Sequence, residues 1–352
     1  MKKMLALLLA LVMVLSLAAC ASSQPATTDA AASTETAETT ETTETTEPAA
    51  EESAEAPAES GKTYTVGVCQ LVQHEALDAA TQGFIDALKE ELGDAVTVDV
   101  QNASGDSVNC GTIVNGFVSK GVDLIMANAT PALTAAVSAT ADIPILGTSI
   151  TAYGVALDID DFNGTVGGNV SGTSDLADLH AQAQMILDWF PETKTVGLLF
   201  CSAEPNSRYQ IDEVRKALEA QGVTCEEFAF TDSNDVSSVT QKAADFSDVV
   251  YIPTDNTAAS NTEAIANVLI PAGVPAICGE EGLCRGCGVA TLSISYYDLG
   301  VTTGKMAAKI LKGEADISTM PVEYTDATPK YNASVCEQLG ITPLDGYEAI
   351  DG

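Results

Sequence analysis

Thr65-Val-Gly-Val-Cys-Gln70 is followed, after Leu-Val-Gln73-His74-Glu75, by Leu77-Asp-Ala-Ala-Thr-Gln-Gly-Phe-Ile-Asp-Ala-Leu-Lys-Glu-Glu-Leu92 and then by Val96 to Val100. The first run is apolar and β-branched, the second amphipathic at the helical period, and the third strand-like again. Two strands joined by a helix of this length are parallel neighbours, so the fold begins as βαβ.

Outward from there the alternation repeats. Gly111 to Ser119 reads as helix, Asp123 to Ala127 as strand, Ala132 to Ala139 as helix and Ile143 to Gly147 as strand. A second round follows. It comprises helix Leu176 to Phe190, strand Thr195 to Phe200, helix Asn206 to Ala220, strand Val223 to Phe230, helix Asp235 to Ala244, strand Val249 to Pro253, helix Asn261 to Ile270 and strand Val274 to Cys278. A tail supplies strand Val289 to Ser293, helix Tyr297 to Leu311 and a strand near Pro321 to Tyr324. The reading is α/β: two similar doubly wound parallel-sheet lobes, without a residue-level repeat, joined by a multi-crossing hinge. Residues 63–170 plus 289–313 are expected to form lobe one, and 171–288 plus 314–352 lobe two. Crossings are expected near Asn169 to Asp175, near Gly286 to Ala290 and after Leu311.

Towards the N-terminus, Lys2 and Lys3 precede the apolar run Met4 to Ala19, which ends in Leu17-Ala-Ala-Cys20. This is the pattern of a secretory signal, residues 1–20, with a lipobox in which Cys20 is acylated. The run falls short of the roughly 20 residues a spanning helix needs. Residues 21–62, built almost wholly of Ala, Thr, Ser, Glu and Pro, cannot bury enough apolar surface to fold and read as a disordered acidic linker. The expected location is extracytoplasmic, at the cell membrane through a lipid anchor. Residues 63–352 carry 12 Lys and Arg against 40 Asp and Glu, a net charge of about -28. Such a surface lacks the basic footprint that nucleic acid requires.

Enzyme signatures are missing. The chain has no G-x-G-x-x-G after its first strand, no P-loop, no G-x-S-x-G and no H-E-x-x-H. Gly164-Thr-Val-Gly167-Gly168 reads as a turn, and His180 as a solvated helix position. Neither an enzyme nor a cofactor is expected. Of the nine cysteines, Cys284-Arg-Gly-Cys287 alone has metal or redox spacing. With only His74 and His180 as further soft ligands, a local disulfide or free thiols are favoured there, and no metal site is assigned.

Polar clusters lie where strands end: Gln70 to Glu75, Asn128-Ala-Thr130-Pro131, Thr148-Ser149-Ile150-Thr151, Cys201-Ser-Ala-Glu204-Pro-Asn206-Ser207-Arg208 and Pro253-Thr-Asp255-Asn256. Any one of them could be a cap or turn. Their recurrence at strand ends in both halves points to a ligand cleft, since open α/β sheets bind ligands there.

At these residues the chain resembles the tryptophan-type ABC-transporter substrate-binding lipoproteins. The resemblance rests on Val68 to Phe84, Asn102 to Asp106, Ala129 to Ala132, Asn169 to Asp175, Asn206-Ser207, Pro253 to Asn256 and Tyr296 to Gly300 with Gly304. It covers nearly all of residues 64–345. Ala152-Tyr153 stands where the family usually continues Asp-Pro after Thr151, and Glu75 follows His74 where Pro is common. The resemblance implies a type I periplasmic-binding fold whose lobes close on a small ligand and present it to an ABC permease, most commonly an aromatic amino acid.

For such a zwitterion, Thr130, Ser149 and Thr151 are candidate carboxylate donors, and Asp255 is the candidate ammonium acceptor. Tyr153, Tyr209 and Tyr296 are candidate aromatic walls, with core packing the alternative for each. Gln70 and His74 could meet either end of the ligand, and Asn206, Ser207 and Asn256 complete the candidate set. A nucleoside or other planar solute, held by Gln70, Gln73 or Asn256, is the alternative ligand. A surface adhesin or sensory receptor is the alternative role.

Overall fold

The computed structural model describes residues 61–350. The expected signal segment, Cys20 and all of the expected linker except Gly61 and Lys62 lie outside the described residues.

The first round comprises β1 (Tyr64–Gln70), α1 (Glu75–Leu92), β2 (Val96–Asn102), α2 (Ser107–Lys120), β3 (Leu124–Asn128), α3 (Thr130–Ala139), β4 (Ile145–Ile150), the single turn α4 (Tyr153–Ala156) and β5 (Val170–Ser174). The second comprises α5 (Leu179–Trp189), β6 (Thr195–Cys201), α6 (Pro205–Glu219), β7 (Thr224–Phe230), α7 (Val236–Phe246), β8 (Val249–Ile252), α8 (Asn256–Ala259), α9 (Thr262–Ala272), β9 (Ala276–Cys278), α10 (Glu281–Cys287) and β10 (Ala290–Ile294). The tail adds α11 (Tyr296–Lys312), β11 (Glu323–Tyr324), β12 (Ala327–Tyr331), α12 (Ala333–Leu339) and β13 (Glu348–Ala349).

One sheet runs β11-β5-β4-β3-β1-β2 and the other β13-β12-β10-β9-β8-β6-β7. Each contains the same doubly wound core: β2-β1-β3-β4-β5 in the first is matched by β7-β6-β8-β9-β10 in the second. Only β12 runs against its neighbour β10. The order reverses beside β1 in lobe one and beside β6 in lobe two, which opens a crevice at the carboxyl ends of both sheets.

Alternate residues of each buried strand face opposite layers. On one face of the first sheet, Cys69, Ile125 and Ile145 pack with Phe117 and Leu133 from α2 and α3. On the other, Val66, Val68, Leu124 and Met126 meet Phe84 and Leu88 of α1 and Ala307 and Leu311 of α11. The second sheet is covered in the same way, with Ile211, Val214 and Leu218 of α6 on one side and Ile265 and Leu269 of α9 on the other. Helices α1 and α11 approach until a Cβ at Gly83 would lie 2.1 Å from the Tyr297 carbonyl oxygen, and one at Gly300 2.0 Å from that of Ala80.

Three features differ from the sequence reading. β10, expected in lobe one, pairs with β9 and β12 in the second sheet. The chain therefore crosses after β5, at Ser295 between β10 and α11, and between β11 and β12. The second crossing is displaced from Gly286 to Ala290, because the apolar run at 289–293 completes a core of the lobe that precedes it; the third does come after Leu311, but only beyond β11, which pairs with β5 and so keeps residues up to Tyr324 in lobe one rather than lobe two. β5 lies where the sequence places a crossing, near Asn169 to Asp175: Val-Ser-Gly-Thr-Ser is polar for a buried strand, yet its hydroxyls find partners, Ser171 on the Met320 and Pro321 carbonyls and Thr173 on Thr148 and Thr303.

Candidate ligand cleft

The strand ends bring His74 and Leu77 (after β1), Ser149 and Thr151 (β4), Asp175 (after β5), Asn206 (after β6), Thr254 to Asn256 and Ala259 (after β8), Glu280 (after β9) and Tyr296 (after β10) around one narrow cavity of about 10 Å³. That volume is on the scale of one water molecule. His74, Ala259 and Glu280 also border a wider hollow of about 290 Å³ at the cleft mouth, with Gln73, Glu75 and Arg285. The lobes touch across the cleft. His74 Nε2 lies 3.2 Å from Asn256 Oδ1, the Thr151 and Thr254 hydroxyls are 3.5 Å apart, and Arg285 of α10 reaches Glu75 of α1 at 3.2 Å.

Ser149 owes its position to a break in the ladder. The β4–β5 register shifts between Gly147 and Ile150, and Ser149 takes φ = 55°. A bulge re-aims a side chain and a left-handed non-glycine backbone is strained, a combination common at functional sites. Four cavity-lining groups end in buried polar atoms without a protein partner: His74 Nδ1, Ser149 Oγ, Asp175 Oδ1 and Asn206 Oδ1. Buried polar atoms are otherwise nearly always satisfied.

Four carboxyls stand at or beside the cavity. Asp255 caps α8, accepting from Ala258 N at 2.8 Å, and its other oxygen accepts from Cys201 N at 2.6 Å. Glu204 accepts from Asn256 N and Nδ2 at 3.0 and 2.7 Å and from Thr257 N and Oγ1 at 2.9 and 2.8 Å. Glu280 caps α10 through Gly282 N and Leu283 N. Asp175 differs: Oδ2 accepts from the Tyr296 hydroxyl at 2.9 Å and Oδ1 accepts nothing. Burial, reinforced by Glu204, pushes the Asp255 carboxyl up to about 8. Burial, with a smaller push from Glu75 and Glu281, raises Glu280 to about 7 against the pull of its two N–H donors. Asp175 is raised by burial too, and the Tyr296 and Thr151 hydroxyls pull it back. Burial holds the His74 imidazole below its ordinary pKa.

Of the residues expected in the site, His74, Ser149, Thr151, Asn206, Asp255, Asn256 and Tyr296 line the cavity. Gln70 does not: its amide ties the β1–α1 turn through Val72 O, Asp78 and Thr81. Tyr153 is buried in the lobe-one core, stacked on Phe162 with its hydroxyl on Thr173 O. Tyr209 packs against a lobe-two core. Thr130 and Ser207 are buried in the first turns of α3 and α6, outside the lining. Asp175 and Glu280 were missed: Asp175 follows β5 inside the segment expected to be a crossing between lobes, and Glu280 follows the three-residue strand β9. Cys284 and Cys287 are buried free thiols.

Two doubly wound lobes meeting at paired switch points over a buried polar cavity define a solute-binding protein of the periplasmic-binding class. The chain belongs to the ABC transporter substrate-binding protein family, whose model matches residues 65–346. The family binds solutes and is not an enzyme family. A tyrosine-binding protein of Clostridioides difficile is 33% identical over 276 residues, 77% of this chain and 79% of that protein. The crystal structure of a Streptococcus pneumoniae ABC domain in complex with L-Trp is 32% identical, with TM-score 0.78 over 82% of this chain and all of that one. The ligand-free, open structure of a Clostridium difficile substrate-binding protein with adhesive properties is also 32% identical, covering 82% of this chain and 99% of that one, at TM-score 0.63. At equal identity and coverage, the present lobes match the liganded arrangement better than the open one.

Proposed function

We propose that this chain is an extracytoplasmic lipoprotein that captures an aromatic amino acid by lobe closure and hands it to an ABC permease. The observation that carries the reading is the set of four unpartnered polar atoms, drawn from both lobes, around one cavity. A ligand touching both lobes favours the closed state by its differential contacts. The aromatic class is supported by the relatives' ligands and by Tyr296 and Leu77, the large apolar side chains in the lining. A cavity of water size means that the lobes must part to admit such a ligand and rest slightly wider around it. The lipid anchor is supported by Leu17-Ala-Ala-Cys20.

Mass spectrometry of small molecules released from denatured protein, followed by calorimetry with L-Trp, L-Tyr and L-Phe, tests the reading. Recovery and rebinding of one of the three is expected. A released nucleoside, or no binding of the three, would overturn the ligand class. An identical small-angle scattering profile with and without saturating ligand would overturn closure and favour an adhesive role.

A further inference from the structure

The unpartnered atoms have one chemistry in common. Asn256 directs Nδ2 to Glu204 Oε2 at 2.7 Å, which turns its Oδ1 toward His74 Nε2 at 3.2 Å. A carbonyl oxygen only accepts, so Nε2 carries the ring proton and donates. Burial keeps the ring neutral, and Nδ1 is left as a bare lone pair with no protein donor. Asn206 is oriented in the same way: Nδ2 faces Thr254 O at 3.0 Å and Glu204 Oε2 at 3.3 Å, so Oδ1 points away from both. Asp175 Oδ1 is an acceptor by its nature. Three acceptors, from three strand ends in two lobes, therefore border one cavity that neither Lys nor Arg lines.

Three acceptors and one carboxylate are the complement of a primary ammonium, which offers three N–H donors and one positive charge. A sugar or nucleoside hydroxyl brings a single donor and no charge, and would leave two of the three buried acceptors unmet. Ser149 Oγ, the remaining unpartnered group, is a hydroxyl that can donate to an anionic end of the same ligand. Asp255, with both oxygens on backbone N–H groups, has a different task.

We propose that His74 Nδ1, Asp175 Oδ1 and Asn206 Oδ1 form the ammonium site of a primary-amine ligand, with Asp175 as its counter-charge. The assignment rests on the reading of this cleft as the solute site.

Calorimetry with the full chain lacking only residues 1–20 tests it, using L-Trp, L-Tyr, L-Phe, the other L-amino acids, indole-3-propionate and 3-phenylpropionate. Asp175→Asn keeps the shape and removes the charge. It is expected to weaken binding of the amino acid about 30-fold or more, whereas Tyr296→Phe, which spares Oδ1, costs less. The desamino acids should bind wild type poorly and Asp175→Asn no worse. His74→Phe, at a partly exposed position outside both cores, provides a second variant should Asp175→Asn fail to fold, and an affinity loss of about 10-fold is expected. Equal affinity of wild type for an amino acid and its desamino analogue would overturn the ammonium site, as would unchanged affinity in the variants or no binding of any amino acid. Binding of an aliphatic amino acid with Asp175 dependence would support the ammonium site while overturning the aromatic reading, so the two fail separately.

Discussion

The two lobes bring carboxyls to the cleft on different terms. On the lobe-two side, Asp255, Glu204 and Glu280 have their oxygens committed to backbone N–H groups and to Asn256 and Thr257 side chains. Across from them Asp175, at the end of β5, keeps one oxygen without a partner. An acid in a strand-end loop is thus of two kinds, one that holds the loop and one that the loop holds out. Short-range sequence does not separate them, because a carboxylate capping the following helix and a carboxylate awaiting a cation occupy the same kind of position.

The sharpest way to break this contrast is to remove one acid of each kind. Asp255→Ala strands the Cys201 and Ala258 N–H groups in a buried site, at about 1–3 kcal/mol each. A loss of about 3 kcal/mol in denaturant unfolding is expected. Asp175→Asn leaves every backbone donor satisfied and should change stability by less than about 1 kcal/mol while removing ligand affinity. Comparable stability for the two variants would erase the distinction.

The lobes also differ in how the tail completes them: lobe two gains β12, β13 and the short helix α12, lobe one the long helix α11 and the two-residue edge strand β11. α11 lies against α1 so closely that Gly300 has no room for a methyl group. Gly300→Ala must push two helices apart, and overpacking of this kind costs about 1–3 kcal/mol. About 2 kcal/mol is expected in the same assay, with lobe two retaining its hydrogen-exchange protection when lobe one loses some. Wild-type stability would mean that the pair is looser than the fold implies.

The fold was legible because period-2 and helical runs alternate cleanly from Thr65 onward, and because buried parallel strands such as Leu124 to Ala127 are continuously apolar. What was not legible were elements whose stability comes from remote partners. β5 is polar and is held by hydroxyl bonds to Met320, Pro321 and Thr303; β12 depends on pairing with β10. In the site, strand-end position found six lining residues, and the search for an aromatic wall added Tyr296. Tyr153 was expected there from its place beside Thr151, but a one-turn helix directs it down into the core, where its hydroxyl meets Thr173 O. Asp175 was hidden inside the segment taken for a crossing.

A pH titration sharpens the contrast next. Asp255 ionises near 8 and Glu280 near 7 in the fold, against about 4 in an open chain. Between those values the unfolded chain releases its protons first, so stability should fall as pH rises from about 5 to 8. The melting temperature is expected to decline over this window, and Asp255→Asn should flatten the decline. A melting temperature that rises over the same window would show that these lobe-two acids are ionised at little cost.

The smallest effect is expected where the lobes meet at the rim. Glu75 and Arg285 are paired at 3.2 Å, but Arg285 is 36% exposed and Glu75 50%, and Arg285 also holds Glu281 at 2.8 Å. Water screens such a pair, and the arginine keeps a partner when Glu75 is removed, so its worth is at most about 1 kcal/mol. Glu75→Gln should therefore weaken ligand binding by no more than about 5-fold. The difference should shrink further as salt rises from 0.01 to about 1 M, where the Debye length falls to about 3 Å. If closure is driven by the buried acceptors, the rim pair only trims it. A loss above about 10-fold in Glu75→Gln, persisting at high salt, would place the closing force at the cleft mouth and leave the unpaired oxygen of Asp175 as a bystander.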